Sequence, residues 1–303
     1  MLTHYSRRTS AAMRLGWTTV AAAVSLGLSV TAALGPVSAA AVPLPSGPVD
    51  VLSAGSLQDL LQQRVGPAFQ EVTGYTLNDT SMGSDAIASG IKGGTLQGDV
   101  FISASPAVNA ALEGSANGNW VSWYATFGSS PLVLGYNSSS RFAQTLRTKP
   151  WYDVIGQPGF LIGRTDPATD PKGVLAVTAL DQAAKTRHAD ALKAIASSTS
   201  NDFPEASLVG QLQAGQLDAG FFYGVEAAAA GIKTVPLTGT HLAGHYTITV
   251  LNRAPHDASA RAFVAFLLGR TGRKILESNG IAAIIPPKLS GGSSVPKDLK
   301  GLL

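Results

Sequence analysis

The chain has 303 residues, 45% of them hydrophobic and 14% charged, enough to bury one large core or two medium ones. Its net charge is +3, but lysine and arginine are scattered and no basic run is interleaved with aromatics, which argues against a nucleic-acid partner. The absence of cysteine excludes disulfides, thiolate metal sites, a cysteine nucleophile and an N-terminal lipid-modified cysteine.

Residues 1–40 read as a secretory signal peptide. Arg7, Arg8 and Arg14 form a basic start, and an apolar stretch runs from Trp17 to Leu34. Small residues then offer cleavage after Val37-Ser38-Ala39 or Ser38-Ala39-Ala40. The competing reading is a retained anchor, since the stretch approaches spanning length. Its content of Ala, Ser, Thr and Gly and its Ala-rich exit favour cleavage. Arg7-Arg8 lacks the hydrophobic positions expected directly after a twin-arginine pair. The mature protein is therefore expected to be soluble and secreted across the cytoplasmic membrane, periplasmic or extracellular.

After a short linker, Pro43 to Pro48, the segment Val49–Ala54 reads as a buried strand. Leu57, Leu60, Leu61, Val65 and Phe69 recur at three and four and predict a helix, which Gly74 closes. A second strand begins at Thr76, and Gly83-Ser84 opens a second helix through Ile87 and Ile91. Asp99–Ser103 is a third strand, and Ser105-Pro106 opens a third helix through Val108 and Leu112. Strand, Ser-bearing turn and helix thus occur three times in about 65 residues, the pattern of βαβ units on a parallel sheet. Ligands of such sheets bind beyond the carboxyl ends of the strands, where these turns lie.

Pro131–Tyr136 is a strongly apolar strand, and Trp151–Ile155 a short helix. Phe160–Gly163 leads into Arg164-Thr-Asp-Pro-Ala-Thr-Asp-Pro-Lys-Gly173, two Asp-Pro steps four residues apart. Each proline removes a donor, fixes φ and biases its predecessor away from helix, so the segment is an ordered loop. It feeds a helix expected from Val174 to Ser197, whose free N–H groups and positive dipole end suit an anion. Further helices are expected over Ala206–Ala214 and Val225–Ala230, with strands at Gly220–Tyr223 and Tyr246–Leu251. One last amphipathic helix is expected from His256 to Ser278, followed by a loosely ordered tail, Gly291–Leu303.

Five patches, in this order, resemble the molybdate/tungstate-binding family of periplasmic solute-binding proteins. They are Ala54-Gly55-Ser56-Leu57, Met82–Ala88, Gly98–Ala104, Arg164–Gly173 and Gly215–Glu226, and the resemblance spans about residues 49 to 285. It implies an α/β, two-lobed (type II) periplasmic-binding fold, each lobe a mostly parallel sheet flanked by helices, with the ligand cleft between the lobes. Lobe 1 would be residues 48–125 plus 246–303, and lobe 2 residues 126–245. It further implies capture of a tetrahedral oxyanion, molybdate or tungstate, for delivery to the membrane permease of an ABC importer. No catalysis, cofactor or resident metal is implied, and the protein is expected to be a monomer. The ligand-binding positions that match are Ser56, Ser84, Asp170 and Tyr223. The archaeal branch has a Glu where Phe222 stands, so hydrogen bonding of the anion is expected here rather than coordination by two carboxylates.

Each of these residues also has an ordinary use. Ser56 and Ser84 could be helix N-caps, Asp166 a turn former, and Asp170 either a turn former or a ligand neighbour. Arg164 could neutralise an anion or pair with one of these aspartates. Tyr223 could be core beside Phe221 and Phe222, and Glu226 reads as a cap or solvated start of the next helix. His241 and His245 are four apart without a third ligand, which argues against zinc. Two other functions remain compatible: a receptor of the same fold for sulfate, phosphate or an organic anion, and a secreted α/β hydrolase. The hydrolase would need a nucleophile with a base, and no Gly-x-Ser-x-Gly or Ser/His/Asp set is visible.

Overall fold

A computed structural model describes residues 46–303, so the leader and cleavage site read over residues 1–40 lie outside the described residues. The strands are β1 (Gly47–Ala54), β2 (Tyr75–Met82), β3 (Val100–Ser103), β4 (Tyr124–Tyr136) and β5 (Ile162–Thr165). They continue with β6 (Asp202–Phe203), β7 (Ala219–Tyr223), β8 (Lys233–Pro236), β9 (Ala243–Val250) and β10 (Ala282–Ser290). Their order across the curled mixed sheet is β2-β1-β3-β9-β4-β7-β5-β6, with β8 and β10 also on β4.

The expected βαβ units are present: β1 runs parallel to both β2 and β3. At the other end β5 is parallel to β6 and β7. The middle is antiparallel. The first half of β4 pairs with β9 and β10, the second half with β7 and β8, so one strand of 13 residues joins both ends of the sheet. Helices flank the sheet, giving an α/β architecture.

The helix predicted from Leu57 forms over residues 55–73 as one continuous run with a π-helical segment, Leu61–Val65. Leu57, Leu60, Leu61, Val65 and Phe69 are all buried, each contributing about 1.5–3 kcal/mol by leaving water. Phe69 meets Phe263 edge-on, ring centroids 5.2 Å apart, which fixes this helix against Asp257–Leu268. Asp99 pins the same helix to the sheet. Its carboxylate accepts from the backbone N–H of Asp50 and of His256, each at 2.7 Å, and lies 3.0 Å from His256 Nδ1.

Four expectations need correction. The run expected from Val174 to Ser197 is two helices, Pro171–Arg187 and Asp190–Ser197. His188, at φ 54°, closes the first with its N–H on the Ala184 carbonyl; apolar periodicity resumes in phase and hides the break. The run from His256 to Ser278 is likewise two helices, Asp257–Leu268 and Arg270–Ser278, because Gly269 takes an extended backbone (ψ 177°). The tail is packed: Val295 and Leu299 are buried in the main core, after β10 adds itself to β4. Two isolated apolar side chains give no periodic signal. The helix opened by Pro106 is also shorter than expected, ending at Ala110.

Candidate functional site

The turns after β1 and β2 meet the turn after β5. Gly83, between β2 and helix Ser84–Lys92, lies against Thr169: a Cβ there would sit 2.3 Å from the Thr169 carbonyl oxygen. Ala86 N–H, in the first turn of that helix, donates to the same oxygen at 3.1 Å. Gly55, after β1, lies equally close to Glu205, whose Oε2 would be 2.1 Å from a Cβ. A side chain at Gly83 would force these turns apart, whereas one at Gly55 would displace the Glu205 carboxylate.

The Asp-Pro loop is built as its sequence suggests. Asp166 accepts from Ala168 N–H at 2.8 Å, an Asx turn, and Asp170 caps helix Pro171–Arg187 by accepting from Lys172 N–H at 2.9 Å. Asp170 Oδ2, buried, has no hydrogen-bond partner. Arg164 pairs with Asp202 at 3.0 Å and donates to the Ile195 and Ser198 carbonyls, so it braces the loop from behind. Its partner is neither Asp166 nor Asp170, which corrects the pairing expected from sequence.

Ser56 and Ser84 cap nothing. The Ser56 hydroxyl lies 3.0 Å from the Tyr246 hydroxyl, and Ser84 Oγ accepts from Ala104 N–H at 3.1 Å. Tyr246 in turn meets Tyr223 edge-on, centroids 6.0 Å apart. The Tyr223 hydroxyl is buried without a hydrogen-bond partner. Burial pushes both phenols well above their ordinary range, so each stays a neutral O–H group. Ser56 and Tyr223 thus meet at Tyr246, and Ser84 follows Gly83, which packs on the Thr169–Asp170 turn beside this centre.

Sequence reasoning missed the charges there. Lys172 is fully buried, and its ammonium donates to Glu205 Oε1 at 2.8 Å and to Glu226 Oε1 and Oε2 at 2.8 and 2.6 Å. Burial alone would lower its pKa, but the Glu205, Glu226 and Asp170 carboxylates outweigh it and hold the ammonium charged. Burial pushes the Glu205 carboxyl up to about 8, with Asp170 adding repulsion and Lys172 opposing. Glu226 is also raised by burial against the pull of Lys172. Glu226 caps its own helix as the sequence suggests, its carboxylate facing Tyr223 N–H at 3.4 Å, but it is also an ion-pair partner. Lys172 was visible as an isolated cation inside the Asp-Pro loop. Its partners, 33 and 54 residues away, were not. Phe222 packs in an apolar cluster with Leu208, Leu212 and Leu217, and its ring also lies under the Lys172 ammonium, 5.7 Å from Nζ to the ring centroid.

Two cavities of about 200 and 490 Å³ border this centre, and Gly55, Gln58, Glu205 and Ala206 line both. Pre-formed clefts at strand ends are where sheets of this kind bind small ligands.

Residues 49–282 match the bacterial extracellular solute-binding protein family. The chain belongs to this family. An uncharacterised solute-binding protein of Petrotoga mobilis is 27% identical to this solute-binding protein over 219 residues, 61% of this chain and 68% of the relative. A molybdate/tungstate-binding protein of Pyrococcus abyssi is 24% identical over 237 residues, 61% of this chain and 68% of the relative. Among solved structures, the periplasmic molybdate-binding protein of Azotobacter vinelandii aligns with TM-score 0.61 and 19% identity, covering 77% of this chain and 98% of that one. No helix among the described residues is long and apolar enough to cross a membrane.

Proposed function

We propose that this solute-binding protein captures a tetrahedral oxyanion, molybdate or tungstate, outside the cytoplasm and hands it to the permease of an ABC importer. In this reading residues 1–40 are removed on export and the protein works as a monomer without catalysis. Residues 48–125 plus 246–303 form one lobe and residues 126–245 the other, with the ligand held by Ser56, Ser84, Asp170 and Tyr223. The observation that carries the reading is the buried, unpartnered Tyr223 hydroxyl beside the Ser56–Tyr246 hydroxyl pair at the strand ends, with Ser84 at the neighbouring helix start. Neutral O–H and N–H groups facing an anion in a closed cleft make charge-assisted hydrogen bonds, about twice as strong as neutral ones. Asp170 contributes through the loop: its carboxylate fixes the helix start whose N–H groups and dipole face the same centre. A second carboxylate at position 222 is replaced by a phenyl ring, which offers no ligand oxygen and favours hydrogen bonding over coordination.

Calorimetric titration of the ligand-free protein with molybdate, tungstate, sulfate and phosphate tests this. Tight binding of the first two supports the reading. Tight binding of sulfate or phosphate alone shifts it to the related receptor class, and four flat titrations end it.

A further inference from the structure

Lys172 is chemically the strongest anion receptor at this centre, yet its ammonium is fully enclosed by two carboxylates. The two are held differently. Glu226 is fixed from two sides, by the ammonium and by the Tyr223 N–H of its own helix cap. Glu205 reaches Lys172 through Oε1 at 2.8 Å, while its Oε2 has no hydrogen-bond partner among the described residues. Its side chain also stands between the two cavities, lining both, so there is space on either side into which it can rotate. Beside it, Tyr223 Oη and Asp170 Oδ2 are buried and unpartnered.

Building on the oxyanion reading, we propose that Lys172 is the cation that receives the ligand, and that Glu205 stands in for the ligand on Lys172 until the anion displaces it. A carboxyl group and an oxyanion both present oxygen acceptors to an ammonium, so the exchange replaces one acceptor on the buried charge with another. If Glu205 stayed in place as a carboxylate, a doubly charged ligand would share a dry site with three carboxylates and a single ammonium. The repulsion at such separations in a low-dielectric interior is several kcal/mol, so departure of the loosely held carboxylate is the favourable course. The hydroxyls of Ser56, Ser84 and Tyr223 then orient an anion whose charge Lys172 balances. This also explains why Gly55 has no side chain: the parked carboxylate occupies the space a Cβ would take.

The test uses the mature protein, freed of ligand by denaturing dialysis and refolding, and titrated with sodium tungstate, sulfate and phosphate. Glu205→Ala removes the stand-in. If the carboxylate occupies the site most of the time, its loss tightens binding about tenfold. Lys172→Met/Glu205→Ala, which removes opposite charges together and so leaves less unpaired charge, is expected to bind about a hundredfold more weakly than Glu205→Ala. Unchanged or weaker binding by Glu205→Ala overturns the stand-in role. Equal affinity of the single and double variants overturns the assignment of Lys172. A crystal structure of the wild type soaked with tungstate serves where a variant does not fold: Glu205 off the ammonium with the anion in its place supports the exchange, and Glu205 still bonded to Lys172 overturns it. A wild type that binds none of the three anions overturns the oxyanion reading itself, whereas binding with no gain in Glu205→Ala overturns the exchange alone.

Discussion

The two ends of the sheet face each other across the candidate site with opposite chemistry. The turns after β1 and β2 bring mainly neutral groups, the hydroxyls of Ser56 and Ser84 and the N–H groups of helix starts, with Asp85 the one acid in the first turn of helix Ser84–Lys92. The turns after β5 and β7, with helix Glu205–Gln213, bring Asp170, Lys172, Glu205 and Glu226, a cluster whose charges must balance one another because little water reaches them. A neutral wall can be altered at the cost of a hydrogen bond. A charged wall cannot, since losing one member leaves its partner buried and unpaired.

That contrast sets the size of the expected effects. Lys172→Met should be the most damaging single change, lowering unfolding free energy by about 3–5 kcal/mol in urea titration, because two buried glutamates lose their counter-ion. A loss under about 1 kcal/mol would show that the charged wall is no more committed than the neutral one. Ser56→Ala/Ser84→Ala should lower the unfolding free energy by about 1–3 kcal/mol, since the Tyr246 hydroxyl and the Ala104 N–H lose a partner, and weaken oxyanion binding about a hundredfold by calorimetry, as two charge-assisted bonds are lost. Undiminished affinity would remove the serines from the site.

The pH dependence separates the walls further. The Glu205 carboxyl rises from its ordinary 4.5 to about 8 on folding, so the folded protein holds this proton more tightly than the unfolded chain. Its contribution to stability is therefore complete below about pH 4.5 and is lost as pH rises to about 8. The melting temperature of the wild type should fall across that window more steeply than that of Glu205→Gln; parallel curves would show that Glu205 does not titrate there. Tyr223→Phe should have the smallest effect on the free protein, within about 0.5 kcal/mol, since the hydroxyl it removes has no partner. The same change should weaken oxyanion binding about tenfold, the value of one hydroxyl donor to a charged ligand.

Much of this arrangement was legible because it is local. The three strand–turn–helix units follow from spacing within some 65 residues, and the Asp-Pro loop dictates its own Asx turn and helix cap. The signals that failed were those a local pattern cannot carry. Periodicity bridged the breaks at His188 and Gly269, and it ignored Val295 and Leu299, which are buried only because the tail returns to the main core.

The sequence by itself determined that the strand ends carry serines and a braced loop able to face an anion, because turn chemistry and helix dipoles act over a few residues. Only the tertiary structure decided what those groups face. Ser56 was turned to Tyr246, 190 residues away, and Lys172 was enclosed by Glu205 and Glu226. A buried charge needs a partner, and which partner reaches it is settled by packing, not by neighbours in the chain.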